Sequence, residues 1–315
     1  MARAAVQHQS YAARERRSPL ATFPVSWLFL LPTVVFFLGW QLYPIARVAW
    51  MSFTDYHFLR ANEPVHFIGL QNYRDAFSDP LVRKGLLRAA GFTALFLPGM
   101  IFIPMVLAVM VDRISHPKLA TFYRLILLIP SMIPGPLIFV LFRWMYDLYI
   151  GPINWLLVDV LGIFTLYDQP QWLGNPKLVF PSLTLMEWWW GLGYHTMFYL
   201  AGLATIPRDL YDAARVDGAG EWRLFRTVTF PRLLPIILVL VVLRFGTAMA
   251  VIDEYLIMGG FDRTRPTYTW TVYMWDLGFK IGDRNLGYAA AVGWVGAITM
   301  LIVVAGLFWV FRTRD

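Results

Sequence analysis

The sequence predicts an all-α polytopic membrane protein with six transmembrane helices. Three observations carry this. Of 315 residues, 58% are hydrophobic and 17% aromatic, and only 15% are charged, against about a quarter in soluble domains. The apolar residues gather into runs long enough to cross a hydrocarbon core of about 30 Å, which takes around 20 residues as helix. The segments between the runs are polar and unevenly basic.

Residues 1–26 are basic and polar, with Arg3, Arg14, Arg16 and Arg17, and read as a cytoplasmic tail. The apolar run behind them is longer than a signal-peptide core and lacks a small-x-small cleavage site, so it is expected to be retained. It forms the first transmembrane helix, 27–51. An extracytoplasmic segment, 52–88, follows, with turn formers at Asn62, Pro64, Gly69 and Asp79-Pro80. A core of five further helices is expected over 89–311, at 89–111, 122–145, 180–204, 233–258 and 288–311. Pro130, Pro134 and Pro136 predict a distinct kink in the third span, because proline removes a helix donor and crowds the preceding turn. Prolines at 32, 44, 98 and 104 suit a packed bundle in which neighbours or a wet cavity satisfy the freed carbonyls. Trp155, Tyr167, Trp172, Trp270 and Trp275 suit an interfacial belt.

Cations orient the chain. With six spans, one side collects the N-terminal arginines, then Arg113, Lys118 and Arg124, then Arg208, Arg215, Arg223, Arg226 and Arg232, then Arg312 and Arg314 of the end 312–315. The other side holds fewer cations in longer loops. Both termini are therefore expected in the cytoplasm. The net charge of +7 reads as membrane anchoring, not nucleic-acid binding, since no basic run is interleaved with exposed aromatics. Zero cysteines exclude disulfides and thiolate metal sites.

The loop 205–232 stands apart. Pro207 and the acidic residues behind it predict a short helix around Asp212-Ala213-Ala214. Gly218-Ala219-Gly220 gives freedom to turn, and a second short helix is expected from Glu221 to about Thr229, ending near Pro231. Two helices at a glycine elbow can lie along the membrane face. Ala213 and Ala214 keep one surface flat for a partner, and Asp212 and the arginines can pair with that partner's charges.

Asp212-Ala213-Ala214, three residues, Gly218, nine residues, then Val228-Thr229-Phe230-Pro231 resembles the signature loop of binding-protein-dependent ABC transporter permeases. Asp for Glu, Val for Ile and Phe for Leu are this chain's departures, and each keeps charge sign or apolarity. Ser52 to Tyr56, Phe67 to Tyr73, Leu128 to Ser131, Trp172 to Gly174, Trp189 with Gly193, and Leu200 to Leu203 look like the carbohydrate-uptake branch, of maltose, lactose and glycerol-phosphate type. Phe261 to Pro266 departs from that branch's glycine- and proline-rich continuation.

The resemblance implies a type I ABC importer permease architecture and a division of labour. A second, nonidentical permease would complete the path. Two cytoplasmic ATPases would drive it through Asp212, Ala213, Ala214, Gly218 and Pro231. An extracytoplasmic solute-binding protein would deliver a sugar or related polyol. The mechanism would be alternating access around the substrate. No G-x4-G-K-[S/T] loop occurs, so the chain is not expected to bind ATP. No cofactor is expected.

Ionisable residues within spans are costly and mark interior or wet positions. Glu187, Arg244, Asp253 and Glu254 stand out on that ground, with Tyr194 and His195 nearby; Trp189 could stack on a sugar face. Each also has a plain reading: Asp253 and Glu254 at a helix end in water, Arg244 paired within the bundle, Trp189 packed or facing lipid. The alternative function is a secondary transporter, but paired interrupted segments in two related halves do not occur. The five histidines lie far apart, with no H-x3-H or H-E-x2-H spacing, which leaves membrane-embedded metal catalysis without support.

Overall fold

The computed structural model describes residues 23–60, 62–280 and 285–311. The basic tail up to residue 22 and the end 312–315 lie outside the described residues. Helix dominates. Among the described residues β pairing is confined to two isolated bridges, Thr54 with Phe67 and His57 with Asn285.

The first crossing is α1 (Phe23–Phe36), a π-helical stretch (Phe37–Leu42) and α2 (Tyr43–Met51). A short α3 (Gln71–Ser78) leads into α4 (Pro80–Asp112). At 33 residues α4 is about 50 Å long. It starts nine residues before the expected boundary at 89, because Asp79 caps it: the Asp79 carboxylate accepts from the Leu81 N–H at 2.7 Å and Pro80 occupies the first turn, where a missing donor costs nothing.

The third crossing is broken, as the prolines predict. It consists of α5 (Pro117–Leu128), a 3₁₀ turn (Pro130–Met132) and α6 (Gly135–Met145). Carbonyls freed at the break find side-chain donors. The Trp190 indole donates to the Ile133 carbonyl at 3.0 Å and the Ser131 hydroxyl to the Leu128 carbonyl at 2.8 Å. Beyond it lie α7 (Pro152–Trp155) and α8 (Val179–Leu203). Then come α9 (Arg208–Val216), α10 (Glu221–Leu224), a π-helical stretch (Phe225–Thr229) and α11 (Phe230–Met249). A π-helical turn (Tyr255–Gly259), α12 (Trp270–Phe279) and α13 (Leu286–Phe311) complete the chain.

Among the described residues, four helical stretches are long and apolar enough to cross a membrane: Leu28–Met51, Pro80–Asp112, Glu221–Met249 and Leu286–Trp309. The 25-residue α8 has the length, but its Glu187, His195, serine, threonines and tryptophans dilute its hydropathy. With the broken α5–α6 pair these elements fit a six-span path.

Two expectations need correction here. Glu221 to Met249 is one continuous helix, so the short helix does not end near Pro231 and the fifth span does not start at 233 or reach 258. Pro231 lacks the N–H that an α-helix needs and would crowd the carbonyl four residues back. The π-helical stretch just before it widens the turn and absorbs both problems. Pro44 follows the π-helical stretch Phe37–Leu42 at the same offset. The second correction concerns the belt. Trp270 is buried, its indole donating to the Met249 carbonyl at 2.8 Å, and Trp172 bonds Asn154 at 2.8 Å. Trp155 and Tyr167 are exposed.

The largest core joins α4, α6, α8, α12 and α13 through Phe92, Phe96, Ile138, Leu183, Val272 and Val292. A second cluster, with Met105, Ala108, Leu203, Leu233 and Ile237, sits at the end bearing the polar loop. The opposite end is stitched by polar side chains. Buried Asn72 donates to the Ser52 and Thr54 carbonyls at 3.0 and 2.9 Å. The other Asp79 carboxylate oxygen accepts from Tyr273 at 2.7 Å and Tyr288 at 2.8 Å.

Candidate functional site

Two places gather the residues singled out in the sequence. The first is the polar loop. Helix α9 is amphipathic: Leu210 and Tyr211 pack against the second core cluster, and the Tyr211 hydroxyl meets that of Thr229 at 3.1 Å. Asp212 and Ala213 face out, and Ala214 is half-buried. Asp212 pairs with Arg215 one turn along, at 3.3 Å. Exposed ion pairs of this kind contribute little stability, so both groups remain available to a partner. Pro207 precedes the first turn and Asp209 lies within it, as expected.

Gly218 ends the helix at φ +73°, the left-handed position that follows many helix C-termini. The Gly218 N–H donates to the Arg215 carbonyl at 3.0 Å and the Ala219 N–H to that of Ala214 at 2.9 Å. The elbow then delivers Glu221, which pairs with Arg113 beyond the end of α4 at 2.6 Å. A cavity of about 690 Å³, lined by Asp112, Arg113, Arg208, Asp212, Arg215 and Glu221 among others, opens between these elements. Val216 and Trp222 stand fully out, at 88% and 74% exposure. Apolar side chains that exposed beside charged groups mark a surface for contact. Pro231 is exposed on the continuing helix.

The second place lies among α8, α11 and the segment after α11. Glu187 is buried, turned toward Glu254, and its Oε1 has no hydrogen-bond partner among the described residues. Arg244 donates through Nε to Nε2 of buried His195. Nε2 is therefore an acceptor, which leaves the proton on Nδ1, donated to the Gly191 carbonyl at 2.7 Å. Tyr194 is half-exposed and meets the His195 ring edge-on at 5.6 Å. Tyr255 is buried beside the two glutamates, its hydroxyl without a partner among the described residues.

Not all candidates meet. Trp189 lies on another face of α8, against Phe142 at 5.5 Å. Asp253 is exposed. Sequence reasoning passed over Tyr255, whose aromatic character gave no hint that it would be buried next to two carboxyls. His195 was noted only as a neighbour, although its spacing of eight from Glu187 places both on one face of a 3.6-residue helix.

A bundle of kinked crossings with a charged interior and an amphipathic helix displayed at one end defines a membrane transport subunit. Residues 100–313 match the family described as binding-protein-dependent transport system inner membrane component, and the chain belongs to that family. It is a multi-pass inner-membrane component. It is 31% identical to the sulfoquinovosyl glycerol transport system permease protein SmoG of Agrobacterium fabrum over 91% of this chain and 90% of that protein. It is 27% identical to the lactose transport system permease protein LacF of Rhizobium radiobacter, over 92% and 94% of the two chains. Among solved structures, a chain of a bacterial ABC transporter involved in the import of the acidic polysaccharide alginate superposes with a TM-score of 0.80. At 23% identity, that match covers 96% of this chain and all of the other, and it establishes the type I ABC importer permease fold.

Proposed function

We propose that this chain is one of two nonidentical permeases of an ABC importer for a sugar or related polyol, working by ATP-driven alternating access. The observation that carries the reading is α9 with its glycine elbow. It is held to the bundle by Leu210 and Tyr211 and shows Asp212, Ala213, Val216 and Trp222 to the outside. This is a rigid handle without a motor. Two cytoplasmic ATPases supply the motor and grip Asp212, Ala213, Ala214 and Gly218, with Pro231 inside the lever helix. Movement of the handle passes through the elbow to Glu221–Met249, in which the second half of the loop and the span are one helix. The sugar class is supported by the relatives named for sulfoquinovosyl glycerol and lactose transport. Delivery by an extracytoplasmic binding protein is supported by the family description and by a related alginate transporter solved with its sugar-bound periplasmic protein. Both termini then face the cytoplasm. Glu187, Arg244, Glu254 and Tyr194 lie on or beside the path, while Asp253 and Trp189 flank it.

The direct test is crosslinking. Ala213→Cys in the assembled complex is expected to couple to the ATPase subunit, more efficiently in one nucleotide state than in the other. Modification of that cysteine from the extracytoplasmic side alone would overturn the reading. For the path, Glu187→Ala is expected to raise the substrate concentration for half-maximal uptake about fivefold, the worth of one hydrogen bond of about 1 kcal/mol. An unchanged value at normal expression would make Glu187 structural.

A further inference from the structure

We infer that the transported saccharide carries an anionic group, a carboxylate or its like, and that the free face of the Arg244 guanidinium receives it inside the membrane. The inference rests on the importer reading above and names its substrate class.

Arg244 lies within α11, five residues before its end, in the stretch long and apolar enough to cross the membrane. Guanidinium has five N–H donors. One is spent on His195. The four on the two terminal nitrogens have no hydrogen-bond partner among the described residues, and no carboxylate stands within 4 Å of them to make an ion pair. Those nitrogens are not sealed in either, since they are absent from the fully buried, unpartnered atoms. A guanidinium that is partly desolvated without a counter-ion is costly, and in a membrane span it faces a wet path.

The protein's own acids do not fill that role. Glu187 lies near enough to act on Arg244 through space, yet it makes no ion pair with it within 4 Å, is turned to Glu254 and is only 8% exposed. Asp253 is exposed elsewhere. These acids set a cost for any incoming anion, so the ligand's charge must sit on the guanidinium itself and not merely nearby.

The bracket sets the direction. His195, fixed by its own bond to the Gly191 carbonyl at 2.7 Å, holds the Nε edge of the guanidinium and leaves the two-nitrogen edge unengaged among the described residues. That edge is the planar fork that matches a carboxylate, sulfonate or phosphate with two parallel bonds. The half-exposed Tyr194 beside it adds a phenolic donor. A neutral hydroxyl would accept one bond from the fork and leave its charge uncompensated.

The test is equilibrium binding to the assembled importer in lipid nanodiscs, without the binding protein, so that subunit's selectivity does not enter. The probes are a trisaccharide bearing one uronic acid and its carboxyl-reduced, neutral counterpart. The acidic probe is expected to bind about tenfold more tightly. Arg244→Gln is expected to erase the difference, and Arg244→Lys, which keeps the charge but not the fork, to retain part of it. Equal affinity for the two probes, or an acid preference that survives Arg244→Gln, would overturn the inference while leaving the importer reading intact. Failure of the complex to move any saccharide, with a non-sugar solute moved instead, would sink the sugar reading separately.

Discussion

Gly193→Val is expected to lower the recovery of folded protein. On α8, Gly193 faces the end of α5 so closely that a β-carbon there would meet the Leu127 carbonyl and lie 2.7 Å from the Leu128 Cα. Both obstacles are backbone, so no rotamer change clears them. The two helices would have to part beside the break at 129–134, where the Trp190 indole caps the Ile133 carbonyl. Overpacking a core usually costs about 1–3 kcal/mol; an obstacle made of main chain belongs at the upper end, from a total of about 5–15 kcal/mol. Gly91→Val on α4 is the control, since a β-carbon there meets nothing within 4 Å. Monodisperse protein recovered in detergent is the readout. Equal recovery of the two variants would show that α5 and α8 do not need their close approach.

At Gly218 the same substitution is expected to act differently. A β-carbon there also meets nothing within 4 Å, but φ is +73°. An ordinary residue pays about 1–2 kcal/mol in that region, and asparagine, which tolerates it, less. Gly218→Val therefore favours rearrangement of the elbow and turns α9 away from its docking pose, whereas Gly218→Asn keeps it. Uptake by the valine variant is expected to fall about tenfold, with weaker ATPase association in pull-down, while asparagine retains most of both. The bundle's thermal stability should hardly change, because Gly218 lies outside the core clusters and a β-carbon there meets no neighbouring atom. Equal uptake by the valine and asparagine variants would remove the left-handed turn from the mechanism.

How far such features were legible follows from their range. The polar loop was readable because proline, an acidic first turn and glycine are local signals, and they place α9 and its turn correctly. The broken third crossing was readable for the same reason. The continuity of Glu221 to Met249 was not, because a proline normally argues for a helix boundary and a widened turn upstream has no sequence mark of its own. Gly193 could be picked out from the family resemblance, but not its contact with Leu127, which depends on where another helix passes. Trp270 was misjudged because an indole near an expected membrane boundary suits a belt as well as a core. For the interior site, charge within an apolar run located Glu187 and Arg244. It did not reveal that His195 would hold the guanidinium, or that Trp189 would face away, because both depend on helix rotation against α6 and α11.

The carboxylate of Asp79 has a consequence for how the chain is made. It accepts from tyrosines 194 and 209 residues further along. At about 5–20 residues per second, the ribosome takes roughly 10–40 s to supply them. Through that interval the head of α4 has its own cap but neither phenol, and Arg88 lacks the carbonyls of Arg263, Thr264 and Tyr268 that it later ties together. Closure of this end is thus a late event, completed only when the final crossing has been inserted. A nascent chain stopped before Tyr288 would leave that clasp half fastened.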